Sequence, residues 1–287
     1  MPMRKDGFAE VDGVRLHYWE WEGGEPTLLL VHGFTANGRM FDPWAESLAP
    51  RYKLIAPDLR GRGDSDKPKG PYGAEVHAKD MDLLLTALKI DRVVYIGASM
   101  GANIGLTFAV NYPGRIMKLV LGDAGGQGDE AQVAELLKSI QASIARVGVI
   151  YPSKDAYWDF WKGNPFFQQM WDKHTESYLE ADVEVLPDGR ARSKTSKEAI
   201  EQEMAAASTS PAFEDLYPKV KCPTLLLRAP CGIFGERDMV LMPEVADRIV
   251  RSIPSCRLYN VEGANHYTIF REQPEMMQEL VRFIEEE

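Results

Sequence analysis

The stretch Val93-Val94-Tyr95-Ile96-Gly97-Ala98-Ser99-Met100-Gly101-Ala102 decides how this chain is read. An apolar, β-branched run leads into Gly-x-Ser-x-Gly, and Asn103-Ile104-Gly105-Leu106-Thr107-Phe108-Ala109 continues as a helix. Strand, sharp turn and helix in that order force Ser99 into a strained backbone geometry. The residues two before and two after it must then be small, and Gly97 and Gly101 meet that need. Such a turn exposes the Ser99 hydroxyl at the end of a buried strand and aims a helix N-terminus at whatever bonds to it. A developing oxyanion there would meet backbone N–H groups and the helix dipole.

Outward from this turn the chain alternates strands and helices. Asp12-Gly13 between two apolar or alternating runs is a hairpin signal. Thr27-Leu28-Leu29-Leu30-Val31 reads as a strand buried on both faces, ending at His32-Gly33-Phe34-Thr35. A helix around Phe41 to Leu48 and a strand from Tyr52 to Ala56 follow. The loop after them, Pro57-Asp58-Leu59-Arg60-Gly61-Arg62-Gly63-Asp64-Ser65, is tight and charged. Ala74 to Ile90 has helical spacing, and Ile116 to Leu121 is the next strand, ending at Gly122-Asp123-Ala124. This order predicts an α/β protein with a mostly parallel sheet and helices on both faces.

The rhythm breaks from about Gly125 to Pro218. That region reads as helical, beginning with Ala131 to Val147, without a buried strand and with many aromatics. We expect residues 1–124 and 219–287 to form the core. Residues 125–218 would form a cap over the site, with Trp158, Trp161, Phe166 and Trp171 facing the substrate pocket. Leu186-Pro187-Asp188-Gly189-Arg190 is a turn within it. The alternation resumes at the strand Thr224–Arg228, then a helix from Pro243 to Ile253, a strand from Cys256 to Val261 and a final amphipathic helix.

Composition narrows the function. With 45% hydrophobic and 26% charged residues, a chain of 287 can bury a sizeable core. A net charge of -10 argues against nucleic acid or an anionic membrane as partner. Three cysteines without Cys-x-x-Cys spacing give no disulfide framework, and no apolar signal core follows Met1, so we expect a cytoplasmic protein. The histidines are scattered without a His-x-x-x-His pair, which speaks against zinc.

A serine hydroxyl is a weak nucleophile near neutral pH and needs a base, which in turn needs an orienting acid. His266, in the loop after the last strand, is the candidate base. His32 precedes the serine and reads as a histidine that shapes its own turn; His17, His77 and His174 lack a comparable setting. Asp238, closing the loop after Thr224–Arg228, is the candidate acid, and Asp123, at the end of the strand after the elbow, is its rival. Asp58 and Asp64 read as loop braces. The backbone N–H groups of Met100 and Phe34 are the candidate oxyanion donors.

Taken together, His32-Gly33-Phe34, Gly97-Ala98-Ser99-Met100-Gly101, Gly235-Glu236-Arg237-Asp238 and Gly263-Ala264-Asn265-His266 resemble the α/β-hydrolase superfamily. Asp58-Leu59-Arg60-Gly61-Arg62-Gly63-Asp64-Ser65 matches a loop common there. The resemblance implies an eight-stranded sheet, a cap inserted after the sixth strand, no cofactor and a covalent acyl-enzyme. Epoxide hydrolases and haloalkane dehalogenases of this fold carry Asp at the elbow, and Ser99 excludes both. Carbon–carbon bond hydrolases usually show Asn before the serine and a second Gly after the motif; Ala98 and Ala102 depart from that. The expected activity is hydrolysis of a small, fairly apolar ester or lactone. The alternatives are a carbon–carbon hydrolase acting on a diketone and a ligand-binding protein on the same fold.

Overall fold

The structure, a computed structural model, describes residues 4–207, 212–235, 238–271 and 273–286, with the side chains of residues 165, 166 and 207 outside the description. Strands β1 (Arg4–Val11) and β2 (Val14–Trp21) form the expected hairpin. Asp12 and Gly13 both take positive φ, 51° and 76°, as a two-residue turn between right-twisted strands demands. The chain continues through β3 (Gly24–Val31), α1 (Asp42–Leu48), β4 (Tyr52–Pro57), α2 (Ala74–Ala87), β5 (Val93–Ala98), α3 (Met100–Asn111) and β6 (Ile116–Gly122). An inserted stretch carries α4 (Glu130–Ser139), α5 (Gln141–Ala145), β7 (Ile150–Tyr151), α6 (Lys154–Lys162), α7 (Pro165–Gln169), α8 (Lys173–Asp182), β8 (Val183–Val185), β9 (Ala191–Ser193) and α9 (Lys197–Ala207). Then come β10 (Thr224–Arg228), α10 (Pro243–Ser252), β11 (Cys256–Asn260) and α11 (Pro274–Glu285).

Eight strands lie side by side in the order β1-β2-β4-β3-β5-β6-β10-β11. Only β2 runs against its neighbours; all other pairings are parallel. Alternation along β3 shows why its leucine run is needed. Leu28 and Leu30 pack with Trp44 and Leu48 of α1 and Leu280 of α11 on one face. Leu29 and Val31 pack with Met81 and Leu85 of α2 and Phe108 of α3 on the other. A strand covered by helices on both faces cannot carry a polar alternate.

The inserted stretch differs from the helical region expected. Besides its helices it forms a three-stranded antiparallel sheet, β7-β9-β8. These strands are two or three residues long, too short for hydrophobic periodicity to register. The turn at Leu186–Arg190 joins β8 to β9, with Leu186 N donating to Arg190 O at 2.7 Å. The single helix expected over Ala131–Val147 is two, broken at Ile140, where ψ is 5°. The stretch has its own small core of Tyr157, Trp161, Leu179, Val183 and Ala191.

Candidate active site

Parallel strands send their carboxyl ends, and the loops that follow, to one edge of the sheet, where α/β proteins bind ligands. The loops after β3, β5, β6 and β11 meet there. Ser99 follows β5 with φ 54° and ψ -120°, a backbone conformation rare for a residue with a side chain. Two close approaches impose it. A Cβ at residue 97 would lie 2.2 Å from Gly101 O, and one at residue 101 would lie 2.0 Å from Val31 O, so only glycine fits either place. Ser99 N donates to Gly122 O at 2.8 Å, which pins the turn to β6. Met100 opens α3, so its amide belongs to the first turn and has no carbonyl four residues back to bond.

The His266 ring stands between the serine and a carboxylate. Its Nε2 is 3.1 Å from Ser99 Oγ and its Nδ1 is 2.8 Å from Asp123 Oδ2. A carboxylate only accepts, so Nδ1 carries the proton and Nε2 is left to accept from the serine hydroxyl. Asp123 is fully buried, and its other oxygen accepts from Ala229 N at 2.9 Å. Its φ of 50° turns the side chain from the end of β6 toward the ring. The ring itself is fixed edge-on against Phe270, with centroids 6.0 Å apart.

The expectation that Asp238 contacts His266 does not hold. Asp238 Oδ2 accepts from Ser139 Oγ at 2.9 Å and Phe234 N at 2.8 Å, and Oδ1 accepts from Gly235 N at 3.0 Å. Those bonds brace its own loop and tie it to α4. Asp123 takes the place beside the ring because it sits directly at the tip of β6, between the strand bearing Ser99 and β10. Asp238 lies ten residues beyond its strand. Glu236 and Arg237 of the same motif lie outside the described residues.

His32 is buried, and its Nδ1 donates to Gly33 O at 2.8 Å while its Nε2 accepts from Leu59 N at 2.9 Å. Burial lowers its pKa to about 4, so the ring is neutral near pH 7. It holds the turn and is no rival base. Asp58 braces its loop as expected, accepting from Gly38 N at 2.8 Å and Asp64 N at 3.0 Å. Ligand atoms of His17, Asp58 and Asp64 lie within 4.8 Å of one another, but His17 Nδ1 already bonds Asp58 Oδ2 at 2.8 Å. Burial disfavours charge on His17, yet the bond to Asp58 and its charge prevail and raise the pKa.

A cavity of about 160 Å³ opens onto Ser99 and His266. Phe34 lines it, on a loop so close that a Cβ at Gly33 would come 3.1 Å from Ser99 Cβ. The inserted stretch supplies the facing wall, including Ile140, Ile144, Trp161 and Phe167. Of the aromatics expected to face the pocket, Trp161 does. Trp158 and Trp171 instead pack edge-to-face on each other at 5.9 Å, with Lys162 Nζ 4.9 Å from the Trp171 ring centre. The Phe166 side chain lies outside the described residues. Sequence reasoning missed Ile140, Ile144 and Phe167, which carry no motif.

The family model of the alpha/beta hydrolase fold matches residues 26–273. The chain belongs to the alpha/beta hydrolase fold family. Among solved structures, that of E-2-(acetamidomethylene)succinate hydrolase superposes with a TM-score of 0.83 at 22% identity, covering 99% of this chain and 100% of that one. An uncharacterised protein of Mycobacterium tuberculosis is 36% identical over 133 residues, 46% of this chain and 39% of that protein, so the match spans about two-fifths of that relative's length. Lipase 1 of Psychrobacter immobilis is 28% identical over 248 residues, 85% of this chain and 71% of that protein. Among the described residues of this hydrolase-fold chain, no helix is long and apolar enough to cross a membrane.

Proposed function

We propose that this chain is a serine hydrolase that cleaves small, fairly apolar carboxylic esters or lactones through an acyl-enzyme. The observation that carries the reading is the relay Ser99 Oγ, His266, Asp123, with links of 3.1 and 2.8 Å. In the first half-reaction Ser99 Oγ attacks the carbonyl carbon as His266 Nε2 takes its proton. Asp123 holds the ring in the right tautomer and stabilises the imidazolium. The N–H groups of Phe34 and Met100 receive the oxyanion. The imidazolium returns the proton to the departing alkoxide oxygen. Water then loses a proton to His266 as it attacks the acyl carbon, and His266 returns that proton to Ser99 Oγ as the C–O bond to the serine breaks and the acid departs.

The apolar wall supplied by Trp161, Ile144 and Phe167, with a volume of about 160 Å³, suits a short acyl or aryl group. The likeness to a lipase over most of the chain supports an ester bond as the target. A lactone is the same bond closed into a ring. We take residues 125–218 as the cap of this site, since its residues face Ser99 across the cavity. Three unpaired cysteines accord with a reducing compartment such as the cytoplasm. The test is turnover of p-nitrophenyl butyrate, with loss of about 10⁴-fold or more in kcat expected on Ser99→Ala. Turnover that survives Ser99→Ala would refute the proposal.

A further inference from the structure

The loop that carries Phe34 is held by three buried cationic or imidazole donors acting on three successive carbonyls. Gly33 O accepts from His32 Nδ1 at 2.8 Å, Phe34 O from Arg62 Nε at 3.1 Å, and Thr35 O from Arg146 Nη2 at 2.6 Å. Each trans peptide points its N–H opposite to its C=O, so a carbonyl turned toward a fixed donor aims the amide on the other side. The Gly33 carbonyl and the Phe34 N–H share one peptide group. The next two carbonyls fix the chain that leaves it.

Both arginines are wholly buried, a costly place for a charge. Each is balanced by a carboxylate from the inserted stretch. Arg62 Nη1 lies 3.2 Å from Glu203 Oε1 of α9, and Arg146 Nε lies 3.0 Å from Asp182 Oδ2 of α8. Glu203 also meets His77 Nε2, and Asp182 accepts from Ser193 Oγ at 3.0 Å. Apolar side chains of similar volume would seal the same seam without the desolvation cost. What a guanidinium adds is a rigid fork that bonds a carboxylate and a carbonyl at once.

We propose that Arg62 and Arg146 are positioning residues for the Phe34 loop, set in place by Glu203 and Asp182, so that docking of the inserted stretch completes the oxyanion site. The inference rests on the serine-hydrolase reading for its catalytic meaning, and on the hydrogen bonds alone for the clamp. It assigns these four residues to the rate of the chemical step and not to substrate affinity. None of the four side chains lines the cavity beside Ser99.

Arg62→Lys and Arg146→Lys keep a charge beside each carboxylate but remove the fork. With kcat counted per site titrated by a fluorophosphonate, each variant is expected to lose about 10- to 100-fold in kcat for p-nitrophenyl butyrate, less than removal of an oxyanion donor outright, with KM changed less than about threefold. Hydrogen exchange of the Ala36 amide, which donates to Gly33 O at 3.2 Å within the same turn, is expected to quicken about tenfold or more. Glu203→Gln, which preserves shape and an acceptor, is the second variant should a lysine variant not fold, and it is expected to change the same two readouts in the same direction. Unchanged exchange at Ala36 together with kcat per titrated site within twofold of wild type would overturn the inference. If wild type hydrolyses no ester, the hydrolase reading falls, and the exchange arm still decides the clamp.

Discussion

Replacing Asp123 with Asn is the sharpest perturbation of the relay. Asn tolerates the positive φ of 50° at this position, so the backbone is not disturbed. One oxygen of Asp123 accepts from Ala229 N at 2.9 Å and the other bonds His266 Nδ1 at 2.8 Å. An Asn that keeps its carbonyl on Ala229 N must present its NH₂ to the ring. Nδ1 then becomes the acceptor, the proton moves to Nε2, and Nε2 can no longer take the Ser99 proton. The expected loss is about 10⁴-fold in kcat, or roughly 5 kcal/mol of transition-state stabilisation. Among the described residues, Asp238→Asn touches the bonds to Ser139, Phe234 and Gly235. It is expected to leave kcat within about tenfold and to lower stability by about 1–3 kcal/mol. The assay is p-nitrophenyl butyrate hydrolysis per titrated site, with urea denaturation alongside. A thousandfold loss in Asp238→Asn with little change in Asp123→Asn would refute the assignment.

His32 carries a pH prediction. Its folded pKa of about 4 lies below the unfolded value near 6.5, so the unfolded chain takes up a proton first as pH falls. The stability it contributes is fully present above about pH 6.5 and is lost as pH drops toward 4, about 3 kcal/mol in all. Urea denaturation between pH 4 and 7 should show a shallower decline in His32→Gln than in wild type; equal slopes would contradict this. Trp161 is buried and lines the cavity. Trp161→Ala should cost about 3–5 kcal/mol of stability and shift the preference among p-nitrophenyl esters toward longer acyl chains. Trp158→Ala should leave that preference unchanged, and a matching shift in both would sink the pocket assignment.

The fold was legible where one local need dictated residue type. Gly97 and Gly101 are read correctly because a sharp elbow admits no Cβ, and the Leu28–Val31 run because a doubly covered strand has no polar face. Chain order could not decide the acid. Asp123 and Asp238 both fall between Ser99 and His266, and the choice depends on how far each lies from a strand end and where its backbone points. Nothing in the sequence tells Trp161 from Trp158, since both occupy one short helix and only the packing of α6 against α7 and the small sheet of the inserted stretch gives them different surroundings. The clamp on the Phe34 loop was equally hidden. Arg62 and Glu203 are 141 positions apart, and Arg146 and Thr35 are 111 apart.

The most direct measurement is mass spectrometry of the protein after reaction with a fluorophosphonate. One covalent adduct is expected, on Ser99, formed fast in wild type, strongly slowed in His266→Ala and abolished in Ser99→Ala. An unmodified Ser99, or labelling that proceeds at the same rate without the His266 ring 3.1 Å away, would contradict it.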